Sequence, residues 1–220
     1  MASKAVAPVI FVLAGVNGAG KSSLGGVLLR GSGLAYFNPD EAARRIKEKT
    51  RCTADEANSL AWQEGVKMLQ VAIDRRRSYA FETTLGGRTI PGLLVEASTA
   101  GIEVLVWYVG LSSPEQHIAR VRSRVASGGH DIPEAMIRSR WDLSRRNLIA
   151  LLPHLAELQV FDNSETGDPA AGTIPEPRLV MRWRRGRVVA PSAKRLRQTP
   201  DWAKPIVVAA LRLERTTGES

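Results

Sequence analysis

The sequence predicts an α/β fold in which a parallel five-stranded sheet lies between layers of helices. First, residues 8–14, PVIFVLA, form a continuous β-branched and aromatic run, which is typical of a strand covered on both faces. Second, strand-like and helix-like segments alternate from there to residue 164, and this favours right-handed crossovers between parallel strands. Third, a glycine-rich loop separates the first strand from the first helix. A chain of 220 residues, 44% of them hydrophobic, is long enough for one well-buried core.

The other predicted elements follow in chain order. Strands are expected at 34–38, 78–82, 102–111 and 158–164. Helices are expected at 21–30, 39–49, 53–77, 91–100, 113–125 and 132–152. The longest of them indicates an amphipathic helix, because apolar residues recur near helical spacing at Leu60, Ala61, Val66, Leu69 and Ile73.

A basic C-terminal segment is expected after the last of these strands. The Pro-, Gly- and Ala-rich stretch 166–177 is predicted to be a linker that follows a first domain of residues 1–165. Residues 178–220 are predicted to form a hairpin that turns at Arg185 and Gly186, followed by a terminal helix, and to pack on the same domain.

The charge of the chain bears on its partners. A formal net charge of +9 points to phosphate-bearing partners such as nucleotides, nucleic acid or an acidic membrane surface. Residues 175–199 alone contribute +7 of it. This segment, with Trp183 and Trp202 nearby, is suited to nucleic acid through phosphate contacts and stacking. A solvated hairpin that caps the sheet is the interpretation we favour.

Cysteine usage and hydropathy indicate a cytoplasmic protein. Cys52 is the only cysteine, so an intrachain disulfide cannot form, which fits a reducing compartment. The apolar run 5–14 is too short to span a bilayer and leads into the glycine loop, not into a cleavage site. We therefore expect no membrane partner.

The glycine-rich loop GVNGAGKS, Gly15 to Ser22, matches the pattern G-x-x-x-x-G-K-[ST] without mismatch. In this P-loop pattern the backbone N–H groups cradle phosphates, Lys21 reaches the β- and γ-phosphates, and Ser22 holds Mg²⁺. We therefore expect a P-loop NTPase fold that binds a nucleoside triphosphate. The expected nucleotide-binding residues are Gly15, Asn17, Gly18, Ala19, Gly20, Lys21, Ser22 and Ser23, with Ser22 as the metal ligand.

The motif alone does not distinguish hydrolysis of the triphosphate from transfer of its γ-phosphate to an acceptor. An ABC-type ATPase requires a Ser-Gly-Gly signature, which TLGGRT at 84–89 approximates poorly. We also find no hydrophobic strand that ends in adjacent Asp and Glu, since VLVWYVGL ends around Gly110. Because the usual water-activating residues are not visible, we pursue the kinase hypothesis.

Two acids follow predicted strands at the edge where a doubly wound sheet binds ligands. Asp40 comes just after the second strand and Glu82 is at the end of the third, so both are expected to face the P-loop across one cleft. Transfer to a hydroxyl needs a carboxylate near the acceptor oxygen, and Asp40 is the candidate base. The alternatives are a first-turn acid behind an Asn38 cap for Asp40 and a turn or cap residue for Glu82.

The segment at about 114–147 is rich in arginines, which lie on both sides of a Gly-Gly-His turn. This is the arrangement expected of a lid that clamps phosphate. The alternative is a helix face that is simply solvated. His130 in the turn is expected either to contact phosphate or to cap the next helix. The arginines are Arg120, Arg122, Arg124, Arg138, Arg140, Arg145 and Arg146.

With these residues the chain resembles the zeta-toxin-like P-loop kinases, in particular short bacterial members often labelled predicted ABC-type ATPases. The matching segments occur in the family's order from Phe11 to Ser164: FVLAGVNGAGKSS, FNPDEAAR, FETTL, YVGLSSPEQHIARVRSRVASGGHDIPEAMIRSR, SRRNL and FDNS. The resemblance implies a three-layer fold of the nucleotide-kinase type and phosphorylation of a small-molecule hydroxyl that depends on ATP and Mg²⁺. It further implies a UDP-linked amino sugar, of the UDP-N-acetyl type, as acceptor and an antitoxin as partner.

The resemblance also implies roles for single residues. Asp40 matches the family's catalytic base, and the acid and hydroxyls that begin at Glu82 match its substrate side. Leu143 stands where short members commonly have an arginine. The expected catalytic residues are Asp40, Lys21, Arg120, Arg124 and Arg140, and the expected substrate-side residues are Asn38, Asp40, Glu82, Thr83, Thr84 and His130.

Overall fold

A computed structural model describes residues 7–25, 36–166 and 176–218. The strands are β1 Val9–Ala14, β2 Tyr36–Phe37, β3 Tyr79–Thr83, β4 Glu103–Gly110, β5 Glu157–Asp162, β6 Arg178–Arg184 and β7 Arg187–Ala190. The α-helices are α1, described over 21–25, α2 Pro39–Thr50, α3 Ala54–Asp74, α4 Thr89–Thr99, α5 Pro114–Ala126, α6 Glu134–Leu151 and α7 Lys204–Gly218. Short 3₁₀ helices cover Leu152–His154, Ala193–Gln198 and Asp201–Ala203.

The strands form a single sheet in the order β2-β3-β1-β4-β5-β6-β7. Strands β1 to β5 pair in parallel, which confirms the predicted α/β class. The predicted number of five strands is wrong, since β6 pairs antiparallel with β5 and β7 pairs antiparallel with β6. The hairpin joins the sheet because the outer edge of β5 would otherwise present unpaired backbone groups. Most of the predicted linker, 167–175, lies outside the described residues, as do 26–30 of the first predicted helix and 34–35 of the second predicted strand.

Helices α2 and α3 begin as their sequences predict. The Asn38 side chain accepts hydrogen bonds from the backbone N–H of Asp40 at 2.9 Å and of Glu41 at 3.2 Å, which confirms the predicted cap. Thr53 and Glu56 form a capping box at the start of α3. The buried face of α3 consists of Ala57, Ala61, Leu69, Ala72 and Ile73. The expected inclusion of Leu60 in the apolar face is wrong, because that side chain is 45% exposed.

The C-terminal segment packs against the ends of β4 and β5. Trp202 is 3% exposed, and its indole lies so close to Gly110 that a Cβ there would stand 2.3 Å from the ring. Its Nε1–H donates to Asp162 Oδ1 at 3.1 Å. The buried residues Ala203 and Ile206 continue this packing along the start of α7. The end of β4 and the end of β5 are therefore both held by the C-terminal segment.

Ion pairs connect the basic hairpin to acids of the sheet. Glu157 of β5 lies between two arginines of β6, 3.5 Å from Arg182 and 3.8 Å from Arg184. Arg185 lies 2.8 Å from Glu103 of β4. Each of these surface pairs contributes little to stability by itself, but together they compensate part of the hairpin's charge. No helix in the described part of the chain has the length and apolar character to cross a membrane.

Replacing Trp202 tests how far the C-terminal segment contributes to the fold. We expect Trp202→Ala to lower the free energy of unfolding by about 3 to 5 kcal/mol, because it leaves a large cavity against Gly110. Trp62→Ala is the matched control, since Trp62 is 51% exposed. We expect that control to change stability by less than about 1 kcal/mol in urea unfolding. Equal, small losses in both variants would contradict this account of the C-terminal packing.

Candidate functional site

The loop after β1 has the backbone shape that its glycines allow. Gly15 has a φ of 144°, and a Cβ there would lie 2.2 Å from the carbonyl oxygen of Val109 on β4. Gly18 has a φ of 81°, and its Cβ would lie 2.8 Å from the carbonyl of His117 on α5. The loop is thus pressed against both the sheet and the lid helix, and only glycine fits at these two positions.

Lys21 folds back over the loop, where its Nζ donates to the Gly15 carbonyl at 2.8 Å. Burial lowers the pKa of Lys21, while the carboxylates of Glu82 and Asp40 oppose that shift. The ammonium group therefore lies in the electrostatic field of both predicted acids. Ser22 and Ser23 are exposed in the first turn of α1.

Glu82 is the buried carboxylate of the site, with 7% exposure. Ser22 Oγ donates to its two oxygens at 3.0 and 3.2 Å, and Asn38 Nδ2 donates at 3.0 Å. The Tyr36 hydroxyl also donates to it. Burial raises the pKa of Tyr36, and the bond to Glu82 raises it further, so the phenol stays protonated. The structure therefore places Glu82 against the predicted metal ligand.

Sequence reasoning missed this contact and the part that Tyr36 plays in it. The water-activating pattern expected from the sequence was adjacent Asp and Glu at a strand end, whereas β3, a neighbour of β1 in the sheet, carries the single acid Glu82. The signal was the run YAFE, which ends in Glu82. The strand order is needed to recognise this, because a parallel sheet does not follow chain order.

Asp40 lies in the first turn of α2, and its side chain is 52% exposed. Arg124 Nη1 and His130 Nε2 each lie 3.9 Å from one of its carboxylate oxygens. These distances are beyond hydrogen-bond range, and the carboxylate accepts no hydrogen bond from a described side chain. The Asp40 carboxylate is therefore half-exposed and lies beside Arg124 and His130 without a hydrogen bond to either.

Two of the predicted lid arginines point into the site. Arg140 Nη1 donates to the Asn17 side-chain oxygen at 2.8 Å. Arg124 Nη2 donates to the His130 carbonyl at 3.2 Å, while its buried Nε has no hydrogen-bond partner among the described residues. Burial lowers the pKa of Arg140, and Asp40 opposes that shift. The site thus holds two guanidinium groups with N–H groups to spare.

The other arginines bind elsewhere. Arg120 Nη2 donates to the carbonyls of Asn163 at 2.7 Å and Glu165 at 3.1 Å, so it lies at the end of β5 and away from Asp40. Asn163 in turn donates to the Ala19 carbonyl of the P-loop at 2.8 Å, a contact that sequence reasoning missed. The ion pairs Arg122–Glu134 and Arg138–Glu115 lie on the exposed face of the lid. Arg145, whose side chain is 15% exposed, pairs with Asp142 and packs over the Trp141 ring. Arg146 is exposed.

Thr83 and Thr84 shape the turn after β3. Their hydroxyl oxygens accept from the backbone N–H of Leu85 at 3.1 Å and of Gly86 at 3.4 Å. Asn147 on α6 fixes the same turn by donating to the Leu85 carbonyl at 2.5 Å. His130 does not cap α6, because the residue at the cap is Pro133 and no side chain caps that end.

A cavity of about 730 Å³ connects these groups. One part of its wall is apolar and is formed by Phe37, Trp62, Phe81, Leu85, Ile132 and Met136. Predicted site residues form another part: Asn17, Asp40, Glu82, Thr83, Thr84, His130 and Arg140. An apolar cavity with a few convergent polar groups is typical of a small-molecule site.

The chain is similar in sequence or in fold to several known proteins. An uncharacterised protein of Haemophilus influenzae is 29% identical over 127 residues, which cover 58% of this chain and 88% of that protein. The solved AvrRxo1-ORF1:-ORF2 complex with ATP superposes with a TM-score of 0.62 at 17% identity, over 90% of this chain. The chain spans only 65% of the length of that protein.

A toxin–antitoxin structure shares the fold as well. The PezAT system of Streptococcus pneumoniae gives a TM-score of 0.55 at 12% identity and covers 97% of this chain and 87% of that one. The family model for Zeta toxin matches residues 2–166, most of the chain. The chain therefore belongs to the Zeta toxin family.

Proposed function

We propose that the protein transfers the γ-phosphate of ATP to a hydroxyl group of a small molecule that binds in the cavity beside the P-loop. The observation that carries this proposal is the arrangement of Asp40, Arg140 and the P-loop residue Asn17 around one cavity. Such an arrangement combines a base, a cation and a phosphate-binding loop, the groups that phosphoryl transfer to a hydroxyl requires.

The P-loop is the nucleotide side of this proposal. Its backbone N–H groups would hold the phosphates, and Lys21 would move from the Gly15 carbonyl to the β- and γ-phosphates. The ATP in the solved AvrRxo1-ORF1:-ORF2 complex supports ATP as the nucleotide.

Ser22 is the residue that would hold Mg²⁺. Its hydroxyl is exposed and bonded to the Glu82 carboxylate, and such oxygen donors suit this hard cation. When bound, Mg²⁺ would neutralise charge on the phosphates. Glu82 orients the Ser22 hydroxyl through the bond between them, and Tyr36 and Asn38 keep that carboxylate in place.

Asp40 is the proposed base. Because its carboxylate is exposed and accepts no hydrogen bond from a described side chain, its lone pairs are available to the acceptor hydroxyl. Arg140 and Arg124 would balance the charge of the transferred phosphoryl group. His130 lies beside Asp40 and is proposed to contact the substrate. Arg120 lies at the end of β5, and its contact with Asn163 supports a role on the nucleotide side.

The resemblance to zeta toxins suggests a UDP-N-acetyl sugar as the first acceptor to test. The toxin–antitoxin origin of the PezAT structure supports an antitoxin as partner. We place the protein in the cytoplasm, which its single cysteine fits. Nucleic acid is a weaker alternative, because Arg182, Arg184 and Arg185 of the basic hairpin already lie beside acids of the sheet.

Replacing the base should stop transfer without loss of nucleotide binding. We expect Asp40→Asn to lower kcat at least about 100-fold, because the acceptor hydroxyl loses its base. The ATP dissociation constant, measured by calorimetry, should stay within about twofold, since Asp40 lies outside the P-loop. Glu41→Gln removes the neighbouring acid of the same helix turn and is the control. Unchanged turnover in Asp40→Asn would contradict the assignment.

Removing the carboxylate beside Ser22 should weaken the dependence on metal. We expect Glu82→Gln to raise the Mg²⁺ concentration at half-maximal activity about tenfold, because the neutral amide leaves the Ser22 hydroxyl one acceptor oxygen where the carboxylate offers two, and it removes the negative charge. Tyr36→Phe keeps the carboxylate and should have a smaller effect. The measurement is a Mg²⁺ titration at saturating ATP. An unchanged midpoint in Glu82→Gln would remove Glu82 from the metal side of the site.

The acceptor is identified by incubation with labelled ATP and separate panels of UDP-sugars, nucleosides and 5′-hydroxyl oligonucleotides. We expect label on a small molecule, with no transfer by Asp40→Asn. Label on an oligonucleotide, lost when Arg182 and Arg184 are neutralised, would favour the nucleic-acid alternative. Release of free phosphate without a labelled acceptor would contradict the proposed function.

A further inference from the structure

Asn17, a variable position of the P-loop, is held by both helices of the lid. His117 Nδ1 of α5 lies 2.9 Å from the Asn17 carbonyl oxygen. Arg140 Nη1 of α6 lies 2.8 Å from the Asn17 side-chain oxygen. Asn17 is 8% exposed and His117 only 1%, so water has little access to either hydrogen bond. One residue of the loop thus connects α5 with α6.

The contact with α5 fixes the backbone of Asn17. A carbonyl oxygen only accepts, so the His117 Nδ1 must carry the hydrogen. Burial lowers the pKa of His117 to about 4, and the nearby Lys21 and Arg120 lower it as well. The ring is therefore neutral at physiological pH and donates from a defined tautomer. The close approach of Gly18 to the His117 carbonyl leaves the loop little room to shift along α5.

The contact with α6 fixes the direction of the Arg140 guanidinium. The Arg140 stem lies over Gly86, where an added Cβ would stand 2.7 Å from its Cγ. Asn17 holds one end of the guanidinium, and the remaining N–H groups make no hydrogen bond to a described residue. Since the guanidinium fork is planar and rigid, holding one nitrogen sets the direction of the others.

We propose that Asn17 and His117 are positioning residues that aim Arg140 at the transferred phosphoryl group. His117 holds the Asn17 backbone, the Asn17 side chain holds Arg140, and Arg140 supplies the free N–H groups. The Asn17 side chain thereby acts through Arg140, while the loop's phosphate contacts come from its backbone. This inference rests on the proposed phosphoryl transfer and assigns His117, which no step of that proposal uses.

The first test measures binding of ADP and of ADP with aluminium fluoride, which imitates the transferring phosphoryl group, to each variant. We expect Asn17→Ala to weaken ADP–aluminium fluoride binding on the order of tenfold and ADP binding by less than about twofold. Arg140→Ala should weaken the analogue as much or more. In the Arg140→Ala background, Asn17→Ala should add less than about twofold. The proposal would be overturned if the two substitutions weakened analogue binding independently, so that their fold-changes multiplied in the double variant. It would also be overturned if Asn17→Ala weakened the binding of ADP as much as that of the analogue.

The second test separates positioning by His117 from its packing. His117→Asn keeps an N–H donor near the Nδ1 position, whereas His117→Leu removes it. We expect His117→Leu to match Asn17→Ala in analogue binding and His117→Asn to recover most of the loss. Arg146→Ala, an exposed arginine on the same helix as Arg140, is the control. Equal analogue binding by the two His117 variants would contradict the role of the Nδ1 donor.

These readouts do not depend on the acceptor. If no acceptor gains label but the analogue cycle shows the expected coupling, the proposed acceptor chemistry fails and the positioning of Arg140 stands. If His117→Leu does not fold, the cycle of Asn17 and Arg140 still decides whether Asn17 positions Arg140. A kcat measurement on the labelled acceptor should follow the analogue affinities across the variants, with unchanged KM for ATP.

Discussion

The parallel pairing of β1 between β3 and β4 is the constraint on which the rest of the site depends. Because the three strands run in the same direction, their carboxyl ends meet at one edge of the sheet. The P-loop, Glu82 and Gly110 therefore lie together. Leu13 pairs with Glu82, and a slip of one residue would turn that carboxylate to the opposite face of the sheet. The contact of Glu82 with Ser22 is thus a consequence of register.

The two carboxylates of the site differ because their surroundings differ. Glu82 is buried and accepts from Ser22, Tyr36 and Asn38, so its charge is compensated and its position is fixed. Asp40 has an exposed carboxylate that lies 3.9 Å from Arg124 Nη1 and 3.9 Å from His130 Nε2. A buried acid that accepts several hydrogen bonds suits an orienting role. An exposed acid that accepts no hydrogen bond from a described side chain suits proton transfer. Burial and bonding therefore separate two acids that look alike in sequence.

The sequence predicted those parts of the fold that local patterns encode. The run of β1, the Asn38 cap and the P-loop spacing each depend on a few neighbouring residues, and the structure has them where they were expected. The addition of β6 and β7 to the sheet was missed, since joining an edge depends on which strand is left unpaired. The amphipathic face of α3 was predicted with an error at Leu60, because a helix face is defined only by what it packs against.

The site was predicted less completely than the fold. Asp40, Lys21 and Arg140 could be named from motifs, whereas the contacts of Asn17 join residues 100 and 123 positions apart in the chain. No local pattern contains such pairs. The lid arginines cannot be distinguished by residue type, yet Arg124 and Arg140 point into the site while Arg120 and Arg138 do not. Their separation depends on the relative rotation of α5 and α6, which the sequence does not specify locally.

The proposed function requires the cavity beside the P-loop to be the acceptor side of a kinase. A crystal structure with Mg²⁺ and a non-hydrolysable ATP analogue tests it most directly. We expect the γ-phosphate at the mouth of the cavity, in contact with Lys21 and Arg140, with Asp40 facing it across unfilled space. A γ-phosphate turned away from the cavity, or a nucleotide bound inside it, would contradict the account.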